Sequence, residues 1–496
     1  MQSRLVSAPN SRMSDLIGAW LAPLLVGLGV YCVAVAGAHA LLNDGDTLSH
    51  IAIGRWIIAH RAIPFYDPFS FTAHGRTWVP HEWLSEVIFA FIYGRFGWGG
   101  VIAATGLASA AAFALLTRAL AQTLGARRAA IGAVAAFSLV EAHFLARPHV
   151  LAWPLSVVWM AGVIGARDRG RAPPLALLPV MILWCNLHGG FVVGLLLAAV
   201  LALEAMVQAP RGARYRTAAK WSPFLVLAGL STLASPNGID VLLLPFKMFR
   251  MNFALSSISE WRAADFARLD PLELWIALAI LSGLALGIRL PLSRVLMLLL
   301  LLWMALTHVR NEELLGIIAP LLIAAPLAAQ LSPPAGGVSP IRASRHRISS
   351  ALLGIAALAT LIVCGFFVTA WALDRGGLAP RQDVAPVAAV EAAGPAGFDG
   401  HVFNSVRFGG YLMFRGIPTF VDGRADLFGD AFLERYVTAS NAVGGLLPVL
   451  LDEYAVTWTL LEPASPAVSL LDHLPGWKRV YADRYAVIHR RALPAS

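Results

Sequence analysis

Residues 16–50 read LIGAWLAPLLVGLGVYCVAVAGAHALLNDGDTLSH, an almost unbroken apolar run from Leu16 to Leu42 that ends in two carboxylates, Asp44 and Asp46, with His50 one helical turn beyond Asp46. At about 1.5 Å of rise per residue the run is long enough to cross a hydrocarbon core of roughly 30 Å. It is too long for the apolar core of a signal peptide, and no small-residue cleavage site follows it, so it reads as a membrane span. A carboxylate pair at its edge needs an explanation in chemistry or in local structure.

The rest of the chain agrees with that reading. Of 496 residues, 58% are hydrophobic and only 14% charged, and the mean hydropathy is +0.68, the composition of a polytopic membrane protein. The formal charge of +9 comes from arginines in short loops between apolar runs, where they set topology, and nucleic-acid binding is not expected. Cys32, Cys185 and Cys364 lie far apart inside apolar runs without metal-ligand or CxxC spacing.

Hydrophobic periodicity predicts about eleven spans, near 16–41, 98–117, 129–145, 149–166, 174–187, 190–208, 221–235, 271–288, 293–307, 314–329 and 350–373. With a cytoplasmic N-terminus, alternate loops collect Arg4 and Arg12, Arg118, Arg127 and Arg128, Arg167, Arg169 and Arg171, Arg211 to Lys220, Arg289 and Arg294, and Arg342 to Arg347, opposed only by Asp15 and Asp168. The positive-inside rule then places residues 374–496 outside the cytoplasm. It also puts the polar clusters on one external face: Asp44 and Asp46, HEW at 81–83, ARPH at 146–149, NLHGG at 186–190, SPNG at 235–238, SEW at 259–261 and HVRNEE at 308–313. Ionisable groups at membrane depth are costly and are kept where they line a cavity or substrate path, so this convergence predicts one site.

Four segments follow. Residues 1–330 form a transmembrane body that includes a first external loop, 43–97; 331–349 is a cytoplasmic linker rich in Pro, Gly, Ser and Arg; 350–373 is a last span; and 374–496 holds a small α/β domain. In the loop, Asp46 is placed to cap a helix over 47–60 whose Leu48, Ile51, Trp56 and Ile58 lie in the membrane interface, and LSEVIFAFIYGRF makes a second surface helix. In the tail, HVFNSV, YLMF, TFVDG, TWTLLE, KRVYAD and YAVIHR read as strands, and AFLERYVTASN and LLPVLLDEY as helices.

Each candidate has a structural alternative. Asp44 and Asp46 serve equally as helix cap or Asx turn. His81 and Glu82 read first as turn residues, and Arg147 beside His149 as a snorkelling side chain. His188 in NLHGG needs a partner or water. Arg310, with His308 and Asn311, can be neutralised by Glu312 or Glu313. Glu141 and Glu204 are read as packing or interface groups, and Asp422, Arg424 and Asp426 in DGRAD as a salt-bridged turn or a strand-end site. Together, carboxylates at the water edge can deprotonate a hydroxyl or hold a divalent cation, while arginine and histidine at the same level can hold the phosphate of a membrane-embedded lipid.

The chain resembles the GT-C fold glycosyltransferases, the polytopic group that includes protein mannosyltransferases, oligosaccharyltransferase catalytic subunits and lipid A aminoarabinose transferases. The resemblance rests on NDGD after the first span, an external loop with two surface helices, and an extracytoplasmic α/β tail. GDTLSHIAIGRWIIAH, YDPFSFTAHGRTWVPHEWL, NLHGG, FGGYLMF, FVDGRADLFG and WKRVYADRYAVIHRR also look like a widespread set of bacterial membrane proteins described as glycosyltransferase-like. The resemblance implies a multi-pass enzyme of the bacterial inner membrane with a periplasmic tail. It would transfer a sugar with inversion from a polyprenyl-phosphate donor to an envelope glycan, lipid or protein. Asp44 or Asp46 matches the first-loop acid that acts as base or metal ligand, and Asp44 is taken as the base because Asp46 is the better cap. His50, His81, Glu82, Arg147, His149, Asn186, His188 and Arg310 are the expected substrate or lipid-phosphate contacts. Asp44, Asp46 and Glu82 are the candidate ligands for a divalent cation such as Mg2+ or Mn2+. The WWDYG-type signature of oligosaccharyltransferases is not found in the tail. The rival reading from the same polar groups is a non-catalytic transporter or flippase, or a scaffold, for lipid-linked glycans.

Overall fold

The computed structural model describes residues 11–492 apart from 249, 258–260, 268, 332–347 and 398. Ser259 and Glu260 of the SEW cluster and nearly all of the 331–349 linker lie outside the described residues.

In chain order, α1 (Ser11–Ala36) leads through the one-turn α2 (Ala38–Leu41) into α3 (Gly45–His60). After an irregular loop come α4 (Trp83–Leu124), α5 (Ala126–Val140), α6 (Pro148–Asp168), α7 (Leu178–Leu187), α8 (Phe191–Gln208) and α9 (Arg214–Ser231). The short helices α10 (Asp240–Met248) and α11 (Asn252–Ser257) precede α12 (Pro271–Ala285), α13 (Leu292–Thr307), α14 (Glu312–Leu331) and α15 (Ile348–Arg375). Each apolar run predicted from the sequence is thus a helix. Among the described residues, six helices are long and apolar enough to cross a membrane by length and composition, and three further apolar helices are 10–17 residues long. α4 contains both the predicted surface helix and the second span, separated by a break at Phe96–Gly97. Gly97 has φ 55°, a backbone conformation that glycine adopts without the steric cost of a Cβ. Away from the external clusters, Arg294 binds Glu204 (3.1 Å) and Asp168 (2.6 Å), so Glu204 is a packing group tying α6, α8 and α13 together.

The tail comprises α16 (Val387–Gly397), β1 (His401–Asn404), α17 (Val406–Phe414), α18 (Ala425–Phe428), α19 (Asp430–Ser440), α20 (Leu446–Glu453), β2 (Val456–Leu460), α21 (Pro466–Leu471), β3 (Trp477–Ala482) and β4 (Val487–Arg491). Its sheet has the order β1-β2-β4-β3, with β1 and β2 parallel and the other pairs antiparallel. Four of the six predicted strands are therefore in the sheet. YLMF is instead the end of helix α17. TFVDG pairs with the first loop: the Phe71 N–H donates to Thr419 O and the Thr419 N–H to Phe69 O, while the Thr72 hydroxyl donates to Phe420 O.

That pairing corrects the expectation of an interfacial α3. Leu48 and Ile51 are buried. Ile51 packs into the helical body, whereas Leu48 joins Val402, Phe408 and Trp458, and Ala52, Ile53 and Ile57 join Phe420, Val421 and Leu427 of the tail. Of the four residues the sequence assigned to lipid, Leu48 is covered by the tail and Ile51 by the helical body, Trp56 packs partly buried beside the tail cluster, and Ile58 stays 47% exposed. Contact is close because small residues meet: a Cβ on Gly410 would sit 2.0 Å from Gly45 O. Gly410→Ala is expected to cost about 1–3 kcal/mol by overpacking, read as a lower melting temperature of the purified protein. An unchanged melting temperature would refute the α3–α17 contact.

Candidate functional site

The carboxylate pair is divided between two tasks. Asp44 sits at the N-cap of α3 in extended conformation, and its side chain accepts from the Asp46 N–H at 3.2 Å. The cap is therefore Asp44 and not Asp46. Asp44 also takes both prongs of Arg147: Nη2 donates to Oδ1 at 2.8 Å and Nε to Oδ2. Burial alone would raise the Asp44 pKa, but the charge and hydrogen bonds of Arg147 outweigh it and hold the carboxyl below its usual range. Asp46 lies 2.9 Å from Arg147 Nη2, yet its side chain is 35% exposed against 12% for Asp44. The exposure matters because Asp46 lines a cavity of ≈ 930 Å³ that Asp44 does not reach. Arg147, first read as a snorkelling cation, orients both carboxylates.

One wall of the cavity is a histidine–glutamate cluster. His50 lies 3.4 Å from Glu86 and 3.8 Å from Glu82, and Glu82 lies 3.8 Å from His81 and 3.5 Å from His188. His188 Nδ1 accepts from the Gly190 N–H at 3.1 Å, so its Nε2 carries the proton that faces Glu82. Burial pushes His188 down to about 4 despite Glu82, leaving a neutral imidazole. At His50 burial acts the same way, but the hydrogen bond to Glu86 and the charges of Glu82, Glu86 and Asp46 prevail and raise its pKa. Burial would raise Glu82, yet His81, His188, His50 and Arg310 lower it. His81 and Glu82 do lie in a turn, as read from the sequence, and that turn sets the Glu82 carboxylate among three imidazoles, His50, His81 and His188.

Arg310 also lines the cavity, within electrostatic reach of Glu82 and His188. Its guanidinium lies over the Trp261 ring at 4.6 Å and has no carboxylate partner among the described residues. The expected neutralisers are engaged elsewhere: Glu312 faces His143 at 3.5 Å, and Glu313 accepts from Trp153 Nε1 at 3.0 Å and faces His149 at 3.8 Å. From Arg310 the cavity continues into an apolar trough of Val193, Leu196, Leu244, Leu300, Trp303 and Met304.

The tail supplies another wall. Arg424 donates to Asp422 (2.7 and 2.8 Å) within its own turn and to Asp67 (2.7 Å) in the first loop, and all three residues are buried. This clamp presents Gly423, Ala425 and Asp426 to the cavity. A Cβ on Gly423 would lie 2.2 Å from Asp46 Oδ1, so only glycine leaves the carboxylate in place.

No protein-family model and no curated relative matches the sequence. Among solved structures the chain is similar to ArnT from Cupriavidus metallidurans in two states. With the undecaprenyl phosphate complex it shares 14% identity at a TM-score of 0.52, covering 97% of this chain and 100% of that one. With the apo state the values are 16% and 0.52, covering 98% and 100%. The chain has the GT-C fold. The apo oligosaccharyltransferase of Archaeoglobus fulgidus aligns more loosely, at 11% identity and a TM-score of 0.47, over 88% of this chain and 69% of that one.

On this GT-C fold the cavity gathers eight of the ten residues singled out from the sequence: Asp46, His50, His81, Glu82, Arg147, His149, His188 and Arg310. Asp44 is the cap behind it. Asn186 is structural: its side chain is buried, donates to Ile182 O (2.8 Å) and Ala234 O (3.1 Å), and accepts from Trp83 Nε1 (2.7 Å), pinning the start of α4 to α7. The three proposed cation ligands do not form one donor set, because Arg147 lies against Asp44 and Asp46 while Glu82 faces histidines. Among the described residues no group of three or more His, Cys, Asp or Glu side chains is arranged to hold a metal ion. Sequence reading missed Glu86 and the lining Trp78, Trp153, Trp184 and Trp303, and it gave Glu313 only as a neutraliser of Arg310 and Asp426 only as part of the DGRAD turn or site. Glu86 had a usable signal, since it follows Glu82 by four residues and shares its helix face.

Proposed function

We propose that this protein is a glycosyltransferase that moves a sugar from a polyprenyl-phosphate carrier to an acceptor hydroxyl, working at the extracytoplasmic face of a bacterial inner membrane. The observation that carries the reading is a single cavity joining a partly exposed carboxylate, Asp46, an arginine with no ion-pair partner among the described residues, Arg310, and an apolar trough. The trough suits a polyprenyl chain and Arg310 its phosphate. Undecaprenyl phosphate is the ligand of the similar ArnT structure, which supports the same carrier class here.

In the proposed reaction the acceptor oxygen bonds to the anomeric carbon as the bond from that carbon to the phosphate oxygen breaks. The acceptor proton passes to Asp46, and polyprenyl phosphate leaves as an anion beside Arg310, so it needs no proton. Arg147 fixes the Asp46 carboxylate, neutral His188 directs its Nε2–H at Glu82, and His50 is taken up by Glu82 and Glu86. No step is assigned to a metal ion.

The test uses the full chain in lipid nanodiscs. Arg310→Ala is expected to weaken undecaprenyl phosphate binding about 10- to 100-fold, the worth of a charge-assisted hydrogen bond. Binding by wild type without transfer of label from a polyprenyl-phosphate sugar, combined with movement of that lipid across the bilayer, would replace this reading with the transporter one.

A further inference from the structure

One ionisable group in the cavity has no role in that reaction. Asp426 belongs to the tail, lines the cavity, and receives a hydrogen bond only from its own main-chain N–H among the described residues. Burial raises its pKa, and the charges of His81 and Arg424 lower it only in part. Arg424 cannot serve it as a partner, because its donors go to Asp422 and Asp67. A half-buried carboxylate with a single main-chain donor among the described residues is costly, and a ligand bearing hydroxyl groups removes that cost.

The surroundings narrow the ligand. The Trp78 ring lines the same cavity, with Arg424 over it at 4.8 Å. His81 is also in the lining. Trp78 is 7% exposed and presents only an edge of its ring, and a carboxylate that accepts from adjacent hydroxyls beside such an edge and an imidazole is a recognition chemistry for polyols. Position matters equally, because Gly423, three residues before Asp426, touches Asp46. A hydroxyl compound held by Asp426 therefore lies along the same turn as the carboxylate assigned to take its proton.

We propose that Asp426, with Trp78 and His81, forms a subsite for a polyhydroxyl acceptor on the tail-side wall of the cavity. The inference rests on the transferase reading for the word acceptor, but not for the subsite itself. In that reading the carrier's phosphate is held by Arg310 and the acceptor by Asp426, two separate groups of the same cavity. The tail is then a substrate-binding part of the enzyme and not only a cover.

The probe is methyl β-D-glucopyranoside, followed by saturation-transfer NMR on the full chain in nanodiscs with and without undecaprenyl phosphate. Wild type is expected to give a saturable signal. Asp426→Asn is expected to weaken it about tenfold or more, with unchanged melting temperature and unchanged undecaprenyl phosphate binding. No signal in wild type, or an equal signal in Asp426→Asn, would overturn the proposal. So would Asp426-dependent binding of ethanolamine in place of the glycoside, which would make the subsite one for cations. Glycoside binding that depends on Asp426, in a protein that fails to bind undecaprenyl phosphate, would uphold the subsite and overturn the transferase reading instead.

Discussion

Asp46→Asn is expected to slow sugar transfer by about 10²- to 10⁴-fold while leaving undecaprenyl phosphate binding unchanged. Asparagine keeps the shape of the side chain and an oxygen for Arg147, but it cannot take a proton from the acceptor. The corresponding change at Asp44 is expected to behave differently. Asp44 is the less exposed partner, caps α3 and holds both prongs of Arg147, so Asp44→Asn should lower the melting temperature and reduce transfer only as far as Asp46 loses its support. Initial rates at saturating donor, measured beside thermal unfolding of each variant, separate the two. A rate within about threefold of wild type for Asp46→Asn, where removal of a base predicts far more, would remove Asp46 from the chemistry.

The order of those two roles was not readable from NDGD. Aspartate at either position is a good cap, and two residues of spacing do not say which carboxylate the helix will use. Arg147 decides it, and Arg147 is 103 residues away in sequence. What the sequence did carry was convergence. Charge bias sorted the loops into two sets, and the polar set contained HEW, ARPH, NLHGG and HVRNEE, all of which contribute to one cavity. The helices were legible for the same reason, since apolar runs bounded by arginine and glycine admit few other readings.

The tail was less legible because its pattern is ambiguous over short runs. YLMF alternates no more like a strand than like one turn of buried helix, and it became α17 because glycines at 409 and 410 let it press against Asp422 and Gly45. Glu82 and His81 looked like turn residues because their partners, His50 and His188, come from α3 and from the α7–α8 turn. DGRAD was read as a salt-bridged turn or a site, and the salt-bridged turn is there, at the edge of the cavity. Its arginine makes the salt bridges, and its glycine and second aspartate reach the cavity.

That double use makes Arg424 the residue whose loss should do the most damage to the fold. Arg424→Met is expected to destabilise the protein by about 3–5 kcal/mol, because it strands two buried carboxylates. Asp67 and Asp422 are each 1% exposed. Asp67 retains the Phe69 and Ser70 N–H groups at 3.0 Å each, and Asp422 retains the Thr419 hydroxyl at 3.1 Å. These neutral donors do not replace a guanidinium. If uncompensated charge is the cause, neutralising the carboxylates as well, in Asp67→Asn, Asp422→Asn, Arg424→Met, should recover much of the melting temperature, since an apolar or neutral replacement of a whole buried ion cluster is often tolerated. Transfer should not recover with it. The pairing of Thr419 and Phe420 with Phe69, Phe71 and Thr72 also ties the tail to the first loop, but the clamp is what sets the turn at Gly423, so a stable triple variant in which Gly423 no longer bears on Asp46 is expected to stay slow while still binding undecaprenyl phosphate at Arg310. Full recovery of both stability and rate would mean that the turn finds its place through Phe420, Val421 and Leu427 packing alone.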